Sequence, residues 1–505
     1  MNRLFSGAAL AALLALALAA PAGANSSLQI GIDDDGLMQR NPATTAPTAA
    51  LWKQNGVGQG RLTLVWTRIA PNASSTKMPT GFNPRDPNSP GYVWGDVDRA
   101  VSALEANGID VSILIAAPNP YWASLVPSRR SQTYKPSPKA LGDFVYAVAQ
   151  RYKGRIKSYL PMNEPNLWQY ITPQYECSGS SAKSCTLAGA AIYRELYRSA
   201  YDSVKAADPA ASVWIGALAP HGRPGVSPTR SSPGPLAFFK AMACVKSNYA
   251  VDRKSPGCKS YKPLLTNGIA HHPHTVLLSP TERDPGDAIT TANISDLTKI
   301  FDRLQSAGRV LNGGTTAAAQ KSKRLDVFID EYGVQTNPPD KLQGLSVTKQ
   351  NAYYQEVAYM MWKNPRVKLL AFYLWHDEPY TQAKSWAWQS GMYFADGTIK
   401  PSGKSFQHPF WVDLPAGSKS ATVWGQVRAN LSGAVTVQVR SGSSKTFKTL
   451  KNVVPSSAGY FAFKTTVSAK RSFRFLYGLS AEGSGASAGG SVVSSDIRTV
   501  TPRRK

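Results

Sequence analysis

The chain has 505 residues, with 57 Lys and Arg against 31 Asp and Glu, a formal net charge of +26. Hydrophobic residues make up 42% and charged residues 17%, which excludes a disordered chain and supports a buried core. Four cysteines exclude a disulfide-built scaffold, and the 40 Gly and 36 Pro follow no collagen-like period; at roughly 100–200 residues per domain, with barrels reaching about 250, two or three units are expected.

Residues 1–24 read as a signal peptide: Arg3 gives a positive start, Leu10 to Ala20 is an apolar run, and Ala22-Gly23-Ala24 offers a small-residue cleavage site before Asn25. No other stretch approaches about 18 apolar residues, so no transmembrane segment is expected and the mature protein should be secreted, extracellular or periplasmic. Export permits disulfides. Four cysteines allow three pairings, and the two local ones, Cys177 with Cys185 and Cys244 with Cys258, are expected. Neither pair has C-x-x-C spacing, so they read as staples and not as a zinc site.

From about residue 28 to 376, short β-branched runs alternate with helical stretches. The runs are Leu28–Ile32, Leu62–Ile69, Val111–Ala116, Ile156–Met162, Val213–Leu218, Gly268–His271, Leu325–Ile329 and Leu369–Trp375. Most are too uniformly apolar for half-exposed strands and fit parallel strands buried on both faces. Between them, Val97, Val101 and Leu104, then Leu141, Phe144, Val145 and Val148, then Leu297, Ile300, Phe301 and Leu304 recur at helical spacing. Ser137 and Pro138 mark one helix start. Eight such units predict an α/β fold, a (β/α)8 TIM barrel over 25–408. An open doubly wound sheet would carry a Gly-rich phosphate turn, and Ile32-Asp33-Asp34-Asp35-Gly36 is not one.

From residue 409 to 478, alternating runs at Ala421–Arg428, Ala434–Arg440, Tyr460–Thr466 and Arg471–Tyr477 predict a small antiparallel all-β accessory domain. Residues 479–505, rich in Gly and Ser and ending Arg503-Arg504-Lys505, read as a disordered basic tail. Residues 411–505 carry 14 Lys and Arg against 3 Asp and Glu, or +11. Such a charge serves solubility or adhesion to an anionic polysaccharide or cell-wall surface. A nucleic-acid partner is not expected, since no binding module is present. Trp411 and Trp424 are candidates either for sugar stacking or for the core of this domain.

In a (β/α)8 barrel the C-terminal strand ends surround one pocket. Glu164 and Glu331 end strands 4 and 7, on opposite sides of the mouth. Glycosidic cleavage needs such a facing pair, one group to protonate the leaving oxygen and one to attack or support the anomeric carbon. Nearby aromatic residues suit the apolar C–H faces of sugar rings. No metal or other cofactor is needed for this chemistry.

At these residues the sequence resembles clan A of the glycoside hydrolases, retaining (β/α)8 enzymes, especially families 5 and 39, over roughly 28 to 405. Asn163-Glu164-Pro165 resembles the strand-4 signature, which implies Glu164 as general acid/base and Asn163 as a ligand of the sugar 2-hydroxyl. Glu331 in Ile329-Asp330-Glu331-Tyr332-Gly333 resembles the strand-7 nucleophile. Arg61, five residues before Trp66, resembles the strand-2 arginine near the nucleophile. His272-Pro273-His274 is similar to the strand-6 H-P-Y, and Trp375 resembles the strand-8 aromatic that floors the substrate site. The resemblance thus implies Arg61, Trp66, His272, His274 and Trp375 as substrate-binding residues beside Asn163. His274 departs from the usual Tyr, yet can donate the same hydrogen bond. Asp330 stands where Thr or Ser is common, and strand alternation should turn it away from Glu331. The expected function is a secreted retaining glycosidase acting by double displacement on a poly- or oligosaccharide. The alternative is a non-catalytic carbohydrate- or cell-wall-binding protein on a degenerate barrel.

Overall fold

The computed structural model describes residues 25, 27–179, 184–227, 230–381, 387–428, 434–478 and 492–503. The segment read as a signal peptide, 1–24, lies outside the described residues. Eight parallel strands close into a barrel: β1 (Gln29–Asp33), β2 (Gln59–Val65), β3 (Asp110–Ala116), β4 (Ile156–Leu160), β5 (Ser212–Leu218), β6 (Gly268–His271), β7 (Asp326–Tyr332) and β8 (Val367–Tyr373), each beside its sequence neighbours and β8 against β1. Seven of them feed a long helix: α1 (Pro42–Gln54), α2 (Gly95–Ala106), α3 (Pro138–Arg151), α4 (Ala188–Ala207), α5 (Pro235–Met242), α6 (Ile294–Ser306) and α7 (Val347–Lys363). After β8 comes the short helix Pro401–Ser405. The α/β fold is the TIM barrel that the alternation predicts.

The helices form where the sequence has one apolar stripe and a capped start. In α3 the Ser137 hydroxyl accepts the Ala140 N–H at 3.3 Å, and Leu141, Phe144, Val145 and Val148 are buried. Inside the barrel, Trp214 and Phe328 stack with centroids 3.4 Å apart, in one cluster with Leu114, Leu160, Ala270, Leu369 and Ala371. Gly268 makes room for that plug, since a Cβ there would lie 2.1 Å from the Trp214 ring. With this part of the lumen filled by apolar groups, the polar side chains that follow cluster beyond it, at the C-terminal strand ends.

Beyond the barrel, β9 (Phe410–Asp413), β10 (Ser420–Gln426) and β13 (Tyr460–Thr466) make one antiparallel sheet. A second contains β11 (Val435–Ser441), β12 (Lys448–Val453), β14 (Arg471–Gly478), β15 (Val492–Ser494) and β16 (Arg498–Val500). Phe410, Val423 and Phe461 of the first sheet share a core with Val437, Phe473 and Phe475 of the second. Both β15 and β16 pair with β14, which corrects the expectation of a disordered tail from residue 479 onward. The Gly/Ser composition hid two three-residue strands, each held by an edge already in place and not by its own propensity. Residues 479–491 of that tail lie outside the described residues.

Trp424 is fully buried among Tyr359 and Trp362 of α7 and Tyr460 of β13, with centroids 5.8 to 6.2 Å away. The Tyr460 hydroxyl donates to the Leu28 carbonyl at 2.9 Å. Trp424 therefore belongs to the seam between barrel and sandwich and has no face open to a sugar. Two disulfides join Cys177 to Cys185 and Cys244 to Cys258, the two local pairs. Among the described residues no helix is long and apolar enough to cross a membrane.

Candidate active site

Strand register brings the first polar pair together. Asp33 of β1 lies directly opposite Arg61 of β2, and their side chains form an ion pair. Arg61, 2% exposed, also reaches β7, with Nη1 3.2 Å from Asp330 and Nη2 2.7 Å from Glu331. Asp330 thus faces the lumen beside Glu331 and not away from it, which corrects the alternation argument. The reason is a bulge: between Ile329 and Tyr332, three steps on β7 match two on β8, from Leu370 to Phe372. One extra residue breaks the period of two and lets consecutive carboxylates share one side.

His272, directly after β6, is fully buried at the centre. Its Nε2 lies 3.0 Å from Asp330, while Nδ1 lies 3.1 Å from Glu164 and 3.8 Å from Glu331. Burial alone would lower its pKa, but Asp330 and Glu331 outweigh burial and push it up to about 10. His272 is therefore an imidazolium, donating from one nitrogen to Asp330 and from the other to Glu164. Burial would raise the Glu331 carboxyl. His272, Arg61 and the His274 hydrogen bond overcome that and hold it well below the usual carboxylate range. Asp330 is held down likewise, against its burial, by His272 and then Arg61.

His274 approaches Glu331 from the other side, with Nε2 3.2 Å from Oε1. The Gly333 N–H donates to its Nδ1 at 3.0 Å, so the ring hydrogen sits on Nε2 and points at Glu331. A carboxylate oxygen from each of Glu164 and Glu331 and a ring nitrogen from each of His272 and His274 all lie within 4.8 Å of one another. These four could ligate a cation by residue type. Arg61 and the His272 imidazolium already offset part of the negative charge of Asp33, Asp330 and Glu331.

Asn163 precedes Glu164 and stands beside Tyr170, whose hydroxyl is pushed up by burial and then by Glu164 and Glu331. Tyr170 carried no motif in the sequence. Two further aromatics stand close by: Trp388 packs on His274 at 5.1 Å and on Tyr373 at 5.4 Å between centroids. Tyr373 lies opposite Asp33 in the β1–β8 register. All three are half-buried.

Two expected substrate residues lie elsewhere. Trp375 is 1% exposed and packs against Phe406 and Tyr393 at 5.3 and 5.5 Å. β8 ends at Tyr373, so Trp375 has turned into the packing of the closing segment, and Tyr373 is the strand-8 aromatic near the carboxylates. Trp66 is 2% exposed, opens the four-residue helix Trp66–Ile69 and stacks on Phe144 of α3 at 5.3 Å. It belongs to the packing outside the barrel.

The acidic run after β1 is not a solvated turn. Asp34 accepts the backbone N–H groups of Leu37, Trp375 and His376 at 3.0 to 3.2 Å, and burial still pushes its carboxyl up to about 6. Asp35 accepts the Thr63 N–H at 3.0 Å. Asp377 pairs with the buried Lys400 at 2.7 Å. Asp34 thus ties the end of β1 to the turn after β8, and Asp35 ties it to β2. His271 is buried with Nε2 2.8 Å from the Ile289 carbonyl, and burial lowers its pKa to about 3, so it is neutral.

No protein-family model and no curated protein matches the chain. Among solved structures, it is similar to a family 39 glycoside hydrolase from the gut symbiont Bacteroides cellulosilyticus WH2, at 14% identity, over 88% of this chain and 79% of that one, with a TM-score of 0.48. A glucosidase from Croceicoccus marinus is similar at 12% identity over 96% and 94%, with a TM-score of 0.47. Xylanase 10B from Thermotoga maritima is similar at 15% identity over 75% and 93%, with a TM-score of 0.40.

Proposed function

We propose that this chain is an exported glycoside hydrolase that cleaves O-glycosidic bonds with net retention. The observation that carries this reading is the proximity of Glu164, in the loop after β4, and Glu331, on β7, with carboxylate oxygens within 4.8 Å. Retaining enzymes hold their carboxyl groups about 5–5.5 Å apart, and inverting ones about 6.5–9.5 Å. The unequal surroundings of the two groups support the division of roles. Glu331 is kept ionised by Arg61, His272 and His274, as a nucleophile must be. Glu164 has one such contact, from His272 to Oε1 at 3.1 Å, without the Arg61 and His274 contacts that Glu331 has.

In the first step Glu331 bonds to the anomeric carbon as the glycosidic C–O bond breaks, and Glu164 gives its proton to the departing oxygen. In the second, Glu164 removes a proton from water, which attacks the same carbon and frees Glu331. Three anions, Asp33, Asp330 and Glu331, face two cations, Arg61 and His272. The remaining negative charge favours the oxocarbenium-like transition state. Asn163 is the ligand of the sugar 2-hydroxyl in this reading, and Tyr170, Tyr373 and Trp388 offer faces to the ring. The excess of basic residues suits an anionic polysaccharide or cell-wall surface as substrate or anchor, and the two disulfides suit an oxidising compartment outside the cytoplasm.

The test is a glycan panel with wild type and Glu164→Gln. The reading expects hydrolysis of at least one glycan by wild type, and loss of hydrolysis with sugar binding kept in the variant. Binding without any hydrolysis by wild type contradicts it and favours a binding protein.

A further inference from the structure

The sandwich carries a charged face that the barrel chemistry does not use. From residue 414 to 481 the sequence has 10 Lys and Arg and no Asp or Glu. Two of these are fixed side by side. In the antiparallel pair β11–β14, Gln438 faces Arg474 and Arg440 faces Ser472, so Arg440 and Arg474 are diagonal neighbours on one face. That face is the outer one, because the alternate residues Val435, Val437, Phe473 and Phe475 fill the core.

Both guanidinium groups rest against the ring of Phe447, at 4.9 and 4.3 Å from its centroid, and the Arg474 Nε donates to Gln438 at 2.9 Å. Lys445 and Lys448 flank Phe447 and are exposed. Among the described residues none of these four basic groups has an acidic partner within salt-bridge distance. Like charges at adjacent positions of a sheet repel, and here the ring and Gln438 hold them in place instead of a counter-charge. A planar guanidinium fixed in this way presents its remaining N–H groups to a carboxylate without a large loss of side-chain freedom.

We propose that the outer face of β11 and β14, centred on Arg440, Phe447 and Arg474, binds an acidic polysaccharide through its carboxylate groups. The choice of a polysaccharide over other polyanions rests on the glycosidase reading of the barrel. It also fits the patch, whose ring is covered by guanidinium groups and not free to stack a nucleobase.

The test is affinity electrophoresis of the full chain in gels containing polygalacturonate, neutral dextran, duplex DNA, or anionic phosphatidylglycerol vesicles. Polygalacturonate is expected to retard wild type, less so at high salt, and dextran is not. The double variant Arg440→Gln/Arg474→Gln should bind polygalacturonate about tenfold more weakly, having lost two charge-assisted contacts. Lys464→Gln, on β13 of the other sheet, should bind as wild type does. Hydrolysis of a small neutral glycoside should be unchanged in both. Equal retention of the double variant, an equal loss in Lys464→Gln, or stronger retention by DNA or vesicles than by polygalacturonate would each overturn the proposal. Glu164→Gln keeps polygalacturonate retention whatever the hydrolysis assay returns, so failure of the barrel reading and failure of this one are separable.

Discussion

His272 and His274 are two residues apart and meet the same carboxylate, yet they do different work. His274 is oriented by a backbone N–H and offers one hydrogen to Glu331. His272 bridges Glu164 and Asp330 as a cation. This has a consequence for stability. The folded-state pKa of His272 is raised from 6.5 to about 10, so its contribution is complete below pH 6.5 and is lost as pH rises towards 10. Asp330 and Glu331 are shifted the other way, from 3.8 and 4.5. Their contribution is present above those values and is lost as pH falls below them. Thermal melting against pH should show both declines, and Asp330→Asn should shrink the alkaline one. An unchanged alkaline limb in that variant would contradict the His272–Asp330 pairing. For catalysis, Glu164→Gln should lower kcat about 10²–10⁴-fold, measured on substrates with poor leaving groups.

The same scale shows what the sequence could and could not disclose. That Glu164, Glu331, Arg61, His272 and His274 meet was legible by two routes: Arg61 and Glu331 lie on strands that the alternation marks, while Glu164, His272 and His274 lie past the ends of their strands, within the short motifs Asn163-Glu164-Pro165 and His272-Pro273-His274. Asp330 was misread because a bulge is invisible in a pattern that assumes period two. Trp66 and Trp375 were misplaced because each lies just past the end of its strand, where the alternation no longer fixes direction. Tyr170 and Trp388 lie in loops, whose path no periodicity encodes. Asp33 was recoverable in principle, since it becomes the partner of Arg61 once the β1–β2 register is known.

Among the elements, β6 is the most constrained by what fills the barrel. Gly268→Ala places a methyl group 2.1 Å from the Trp214 ring, in a packed interior that cannot yield. The expected cost is about 1–3 kcal/mol or more, read by denaturant unfolding; a neutral effect would contradict the plug. The Cys244–Cys258 bridge lies between α5 and β6, away from the carboxylates. Arg194 of α4 donates to the Pro256 carbonyl within its loop at 2.7 Å. Replacing both cysteines by Ser should lower stability by about 2–4 kcal/mol and leave kcat unchanged; a loss of kcat at full occupancy of the folded state would contradict a purely structural bridge.

For the whole molecule, the eightfold alternation was readable because parallel strands buried on both faces leave long apolar runs. The union of barrel and sandwich was not readable, because Trp362, Trp424 and Tyr460 are far apart in sequence and each looks like an ordinary core residue. Their shared cluster makes the two parts one packing unit. Trp424→Ala should cost about 3–5 kcal/mol, and calorimetry should show one cooperative transition for wild type; two well-separated transitions would contradict a shared core.

The central claim is that Glu331 forms a bond to the sugar and Glu164 serves it as acid and then base. Proton NMR of the anomeric centre during the first turnovers tests this most directly. The account expects the newly released sugar to carry the same anomeric configuration as the substrate before mutarotation sets in. Release of the opposite anomer would contradict it.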